Sequence, residues 1–202
     1  MKKTISTLAM ALVLSSFVMS AHAALSASVT SGATTQQALA TTQTFSDGSR
    51  PSGYTGGGFF NTTTGEYATP VGSTDYYFSV GTSGGQPGPA VVTFAAPVSY
   101  FGFLWGSPDS YNTVSFYSGS SLLGSYTDGA LWTPANGNQG MAVYFNVFTN
   151  GGPYITRVEF ASTSNAFETD NHSFITAVPE PETYAMMLAG LGLMGFIARR
   201  RS

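Results

Sequence analysis

The 202-residue chain contains no cysteine, only two histidines and few charged residues, which make up 8% of the sequence. Its only two lysines, Lys2 and Lys3, lie at the amino terminus. Without cysteine no disulfide bond can support the fold, so packing has to stabilise it. Few side chains suited to acid–base chemistry are present. We therefore expect a protein that is not an enzyme.

The amino terminus has the pattern of a secretory signal peptide. Met1-Lys2-Lys3 is a basic start, residues 5–19 are mostly apolar, and Ala21-His22-Ala23 fits a small-residue cleavage site. We predict that a signal peptidase removes residues 1–23. The absence of cysteine then says nothing about a reducing compartment, because the mature chain is predicted to be exported.

Residues 24–178 are predicted to form one exported domain of 155 residues, long enough for a single core. The domain carries Arg50 and Arg157 against eight carboxylates, a net charge of −6, which makes nucleic acid an unfavourable partner. It lacks long runs of helix formers and is rich in threonine, serine and valine. Its 25 aromatic residues supply the apolar surface that disordered chains lack.

Alternating apolar residues predict short β-strands in this domain. Val143, Phe145 and Val147 fall on one face of a predicted strand, as do Val158 and Phe160 of another, so one face of each strand is expected to lie toward a core and the other toward solvent. We expect six side chains to be buried between the sheets: Phe101, Phe103, Val143, Phe145, Val158 and Phe160. Glycine- and proline-rich runs, such as residues 53–58, are predicted turns or loops. We predict an all-β fold, an antiparallel two-sheet sandwich of jelly-roll-like type, with residues 24–43 as a frayed arm or an edge strand. The predicted strands are residues 43–45, 76–80, 90–95, 99–105, 113–118, 121–126, 141–148, 154–161 and 174–177.

The carboxyl terminus combines three features: Pro179-Glu180-Pro181, the uncharged and mostly apolar residues 185–198, and Arg199-Arg200-Arg201. As a helix, residues 185–198 would span roughly 21 Å at about 1.5 Å per residue, against a hydrocarbon core about 30 Å thick. Adding residues 183–184 and extending the arginine side chains to the interface brings the segment close to a full span. We predict a transmembrane helix with a cytoplasmic basic end.

This order of features resembles the PEP-CTERM sorting domain of exosortase substrates in Gram-negative bacteria. The resemblance covers residues 178–202, with Pro179, Glu180 and Pro181 as the signature tripeptide and Arg199 to Arg201 as the basic tail. It implies export, processing by a membrane exosortase near the tripeptide, and delivery to the cell surface or the extracellular biofilm matrix. The two prolines fix φ and remove backbone donors, so the tripeptide should be extended and accessible.

Residues 77–126, and the later residues 166–171, resemble a surface-protein domain that often precedes such tails. That domain is similar to carbohydrate-binding sandwich modules, but no signature fixes a ligand. We therefore expect a secreted, exosortase-processed surface or matrix protein with a non-catalytic β-sandwich domain. The alternative is a carbohydrate-binding module that acts on extracellular polysaccharide.

Two groups of residues are candidates for binding. Trp132, Tyr111 and Asp109 lie near predicted strand ends or loops, where an aromatic ring and a polar group can contact a sugar.

Glu168, Asp170 and Asn171 offer oxygen ligands within four residues of a predicted loop, as calcium prefers. They could equally accept backbone hydrogen bonds in a turn. A glycosidase pair of Glu168 and Asp170 is disfavoured, because such carboxylates usually come from separate strands. No catalytic residue is assigned, and calcium is the one cofactor that the sequence suggests, because a zinc site without cysteine or a second mature histidine would need several carboxylates to converge.

Overall fold

The computed structural model describes residues 25–127, 135–178 and 181–200. These residues form eleven strands and one helix, and the strands pair antiparallel throughout the ladders. The all-β, antiparallel prediction is confirmed. The elements are β1 (Ser26–Thr30), β2 (Thr41–Gln43), β3 (Tyr54–Thr55), β4 (Gly58–Phe60), β5 (Tyr77–Val80), β6 (Ala90–Gly106), β7 (Asn112–Ser118), β8 (Ser121–Thr127), β9 (Ala142–Phe148), β10 (Ile155–Ser162), β11 (Phe167–Thr176) and α1 (Pro181–Arg200).

The 17-residue strand β6 connects two layers of the sandwich. Its first part pairs with β3 and β10, and its second part pairs with β9 and β11. Between Thr93 and Val98 the register against β10 shifts, and such an irregularity bends a strand. The predicted strands 90–95 and 99–105 are therefore one strand, and the two layers belong to one continuous hydrogen-bonded sheet.

The hydrophobic core lies between the layers. Phe160 of β10 packs against Phe103 of β6, with ring centroids 5.2 Å apart, and Phe116 of β7 lies 6.2 Å from Phe101 of β6. All four rings are fully buried. The six side chains expected to fill the core are buried as predicted: Phe101, Phe103, Val143, Phe145, Val158 and Phe160.

One polar side chain, His172 of β11, lies fully buried in this core, stacked on Phe160 with ring centroids 5.2 Å apart. Its Nδ1 is 3.0 Å from the Tyr54 hydroxyl and its Nε2 is 2.8 Å from Thr169 Oγ1. The Thr169 hydroxyl can donate to the Phe78 carbonyl, so the network assigns the proton of the neutral ring to Nε2. Burial lowers the pKa of His172 to about 3, which keeps the ring uncharged.

The outer face of the second layer is covered, whereas simple alternation predicted a solvent-facing side. Tyr100 and Tyr144 are buried there, and the Tyr100 hydroxyl lies 2.8 Å from Thr35 Oγ1 and donates to Asn146 Oδ1 at 2.8 Å. A side chain at Gly102 would collide with both tyrosine rings. The predicted arm, residues 24–43, therefore contains an edge strand, β1 on β9, followed by a segment that packs on this face.

Three strand predictions need correction. Strand β3 lies within the predicted glycine-rich loop of residues 53–58, β4 begins at the last residue of that loop, Gly58, and β11 begins at Phe167 instead of residue 174. The first half of β11 contains Glu168 and Asp170, whose charges are typical of a loop. In the structure this half pairs with β5 on one side and with β6 on the other, so its polar side chains are carried into the interior.

The two arginines of residues 25–178 are both held by the fold. The Arg50 guanidinium donates to the carbonyls of Gly56 and Gly57, the latter at 3.0 Å, and lies 5.2 Å from the centroid of the Phe59 ring. Arg157 lies 3.7 Å from the Tyr117 ring centroid and bonds Glu159 at 2.9 Å. Both side chains are thus fixed by aromatic and polar contacts.

Helix α1 has 20 residues, and its described side chains, which include Leu188 and Leu193, are exposed. Among the residues that the structure describes, no helix is both long and apolar enough to span a membrane.

Replacing Phe160 by Ala should lower the free energy of unfolding by about 3–5 kcal/mol, because the change leaves a cavity between the layers. Chemical denaturation of the purified protein measures this loss. Leu122→Ala is the control, because Leu122 is 57% exposed on the edge strand β8 and its loss should be minor. Equal midpoints for the Phe160→Ala and unmodified proteins would contradict a core at this position.

Candidate functional site

A polar pocket of about 230 Å³ lies at one end of the sandwich, beside the carboxyl end of β6 and the start of β11. We call it the polar pocket. Residues from loops far apart in the sequence line it. Two of the predicted ligand-binding residues and one of the predicted metal ligands meet there. Its main polar side chains are Glu66, Ser107, Asp109, Tyr111, Asn165 and Glu168.

Asp109 and Tyr111 form one wall of the polar pocket. The Tyr111 hydroxyl donates to Asp109 Oδ2 at 2.6 Å and lies 2.8 Å from the Asn165 carbonyl oxygen. Gly137 approaches so closely that a side chain there would lie 2.7 Å from Asp109 Oδ1, and its φ of +66° also favours glycine. Burial raises the pKa of Asp109, and the hydrogen bond from Tyr111 partly offsets this.

Glu168 forms the floor and is only 3% exposed. Its Oε1 accepts a hydrogen bond from the backbone N–H of Ala68, and its Oε2 accepts one from the Ser107 hydroxyl, both at 2.8 Å. Burial raises the pKa of Glu168, these two bonds oppose the rise, and the negative charge of Asp109 adds to it. The carboxyl group is therefore fixed in place by the protein itself.

A second wall is built by Asn165, which connects two loops. Its Oδ1 accepts hydrogen bonds from the backbone N–H groups of Thr82 at 2.7 Å and Ser83 at 3.2 Å. Its amide nitrogen donates to Glu66 Oε2, which also accepts from the Ser83 hydroxyl. The Glu66 carboxylate thus lies on the exposed rim of the polar pocket with an orientation set by Asn165.

The side chains that line the polar pocket mainly offer hydrogen-bond acceptors to a ligand. The carboxylates of Glu66, Asp109 and Glu168 line it together with the amides of Asn136 and Gln139. None of its described lining residues is lysine, arginine or histidine. Such a lining suits ligands that donate hydrogen bonds, and it repels phosphate and carboxylate groups.

The predicted calcium ligands do not converge. Asp170 lies on β11 instead of a loop; its Oδ2 accepts from the Ser73 hydroxyl at 2.6 Å and its Oδ1 from the Asn171 N–H at 2.7 Å. The Asn171 amide donates to the Ala33 carbonyl at 2.8 Å. In residues 25–127, 135–178 and 181–200, no group of three histidine, cysteine or acidic side chains could hold a metal ion. Calcium binding gains no support from this geometry and stays an untested prediction.

Several predicted functional residues fall outside the described part of the chain: Trp132, Pro179, Glu180 and Arg201. Two residues of the polar pocket, Glu66 and Asn165, were not predicted. Each lies in a polar stretch rich in threonine, serine and glycine that looks like any surface turn. Only the pairing of distant strands brings them to Asp109.

The carboxyl-terminal residues 177–201 match a family model, that of the PEP-CTERM protein-sorting motif. The chain carries a PEP-CTERM sorting motif. The resemblance of residues 178–202 is thereby confirmed. The motif indicates an exported, exosortase-targeted protein of a Gram-negative bacterium, with a surface or extracellular location. No curated protein and no solved structure matched the chain.

The pH dependence of stability should report on Asp170, whose pKa is raised by burial to about 6 from an ordinary value of 3.8. Between about pH 4 and 6 the folded state keeps a proton that the unfolded state releases, so this carboxyl group makes the fold less stable as pH rises through that window. His172 acts in the opposite direction, since its pKa is lowered.

Asp170→Asn should remove the first effect, because the amide stays uncharged. The difference in free energy of unfolding, variant minus unmodified protein, should therefore increase between pH 4 and pH 7 by up to about 3 kcal/mol. Urea denaturation of both proteins at the two pH values measures the difference, and the effect of His172 cancels between them. A difference that is the same at pH 4 and pH 7 would contradict the buried, protonated carboxyl group.

Proposed function

We propose that this PEP-CTERM protein is a surface or matrix protein whose β-sandwich domain binds a neutral, hydroxyl-rich extracellular polysaccharide at the polar pocket without catalysis. The observation that carries the proposal is the convergence of Asp109, Tyr111 and Glu168 with amide side chains in one cavity. Export by the sorting motif would bring the domain to where such polysaccharides occur.

The lining favours sugars over other ligand classes. Sugar hydroxyls donate hydrogen bonds to carboxylate and amide oxygens, and the amides of Asn136 and Gln139 can donate in return. The absence of basic residues among the described lining residues disfavours acidic polysaccharides. The volume of about 230 Å³ lies below the roughly 300–1,000 Å³ of pockets that enclose drug-sized ligands. A single sugar unit at an end or branch of a chain would fit this size better than an enclosed oligosaccharide.

The state of the carboxyl groups supports binding without catalysis. Glycoside hydrolysis needs two carboxyl groups that reach the scissile bond from either side. Glu168 is almost completely buried, and both of its oxygens accept hydrogen bonds from Ala68 and Ser107. Glu66 lies on the rim, where its Oε2 already accepts hydrogen bonds from Ser83 and Asn165. Asp109, oriented by Tyr111, is therefore the carboxylate that we expect to contact a ligand.

Binding is tested by retention of the secreted protein on neutral and acidic polysaccharides, as beads or as a glycan array. We expect selective retention on a neutral polysaccharide, and a loss of at least about tenfold in affinity, or roughly 1.4 kcal/mol, for Asp109→Asn and for Tyr111→Phe.

The matched control is Asp47→Asn, because Asp47 is an exposed carboxylate bonded only within its own turn to Ser49. Thermal melts of all variants show whether they remain folded. The proposal fails if no neutral polysaccharide retains the protein, or if the pocket variants and the Asp47 control bind alike.

Processing is part of the same proposal, with a signal peptidase acting at residue 23 and an exosortase near Pro179, Glu180 and Pro181. Replacing these three residues by alanine should prevent the second step, because the signature tripeptide that the exosortase is proposed to recognise would be lost. In a host with an active exosortase, intact mass spectrometry should then find the unprocessed carboxyl terminus. Val178→Ala is the control and should be processed normally. Equal masses for the triple variant and the unmodified protein would overturn this part of the proposal.

A further inference from the structure

An apolar groove of about 570 Å³ lies where β6 passes from one layer to the other, and it shares no lining residue with the polar pocket. We call it the bend groove. The rings of Phe94 and Phe174 lie 5.4 Å apart there and are only partly buried. Its principal lining residues are Tyr54, Val92, Phe94, Ala96, Phe174 and Thr176.

The bend groove exists because neighbouring strands leave a gap along β6. The register of β3 on β6 extends to Val92, and that of β11 begins at Val98. A backbone bond from Thr93 to Gly53 closes one end of the gap at 2.9 Å, and a bond from Ala177 to Pro97 closes the other at 2.8 Å. The β6 residues between these bonds border the groove without a neighbouring strand on that side.

The carboxyl-terminal tail leaves the sandwich at this gap. Because β11 runs antiparallel to β6, with Phe174 opposite Phe101 and Thr176 opposite Val98, the chain beyond Thr176 runs toward lower β6 numbers. The Ala177 bond to Pro97 continues this direction. Helix α1 begins at Pro181, so three residues separate it from Ala177, and the Cα atoms of Ala177 and Pro181 can be at most about 14 Å apart. The first turns of α1 are thereby tethered beside the bend groove.

The same turns of α1 expose apolar side chains. Met187, Leu188 and Leu191 are 55%, 64% and 54% exposed. Their spacing of one and four residues places them on one side of the helix. An apolar helix side and an apolar groove, joined by a short tether, present matching surfaces at a high effective concentration.

We propose that the bend groove is the docking site for the first turns of α1 of the same chain. The structure presents the helix undocked, with these side chains exposed to solvent. Docking is a second arrangement, in which Met187, Leu188 and Leu191 cover Phe94 and Phe174. It would shield the apolar tail from water whenever no other apolar surroundings receive it.

Cysteine cross-linking tests the proposal cleanly, because the chain has no cysteine of its own. One full-length variant combines Ala96→Cys with Leu188→Cys, and its matched control combines Ala96→Cys with Ala189→Cys. Ala96, Leu188 and Ala189 are all exposed, so the substitutions should leave the fold intact. The two helix positions are one residue apart on the same tether, but they lie about 100° apart around the helix.

After treatment of dilute protein with a short bismaleimide, peptide mass spectrometry quantifies the intramolecular cross-link. Docking predicts a several-fold higher yield for the Leu188→Cys pair. Adding Ala95→Glu, which places a charge on an exposed residue of the bend groove, should reduce that yield to the level of the control pair. Equal yields from the two pairs would overturn the proposal, because a freely moving tether does not select a helix side. An unchanged yield with Ala95→Glu, or cross-links only between two copies of the chain, would overturn it as well.

Discussion

Strand β6 is hydrogen-bonded to β10 and β3 near its start and to β9 and β11 near its end, so both layers depend on one continuous backbone. Its bend opens the bend groove, and its carboxyl end delivers Ser107 to the polar pocket. Both surfaces with a proposed role are therefore positioned by this strand. Because the chain has no disulfide bond, the continuity of β6 is also a covalent connection between the layers within the core.

The aromatic core explains how so polar a strand as β11 can lie in the interior. On one side, burial among Phe45, Phe103 and Phe160 keeps His172 neutral, and its ring nitrogens bond Tyr54 and Thr169. Glu168 and Asp170 accept hydrogen bonds from Ala68, Ser107 and Ser73. Each of these buried polar groups of β11 thus has a partner, which offsets the loss of water. These hydrogen bonds form only when β11 pairs with β5 and β6 in the observed register. They therefore specify that register more strictly than hydrophobic packing alone would.

Local patterns in the sequence were sufficient to predict the fold class, the core side chains Phe101, Phe145 and Phe160, and the sorting motif. They also selected Asp109 and Tyr111 by residue type. They could not reveal that Glu168 lies on a buried strand, because a charged residue between polar neighbours indicates a loop unless its distant partners are known. Asn165 and Glu66 are 99 positions apart, and only long-range strand pairing brings them together.

The contacts that fix Arg50 and Arg157 should protect the exported protein from proteolysis. Trypsin-like proteases cleave after lysine or arginine and require the chain to enter the active site in an extended, detached form. Between residues 25 and 178 these two arginines are the only such positions. One is fastened to the carbonyls of its own loop, and the other lies within β10, paired on both edges by β6 and β7. The folded residues 25–178 therefore offer proteases of this specificity almost no site for the first cut, and cleavage within them should depend on global unfolding.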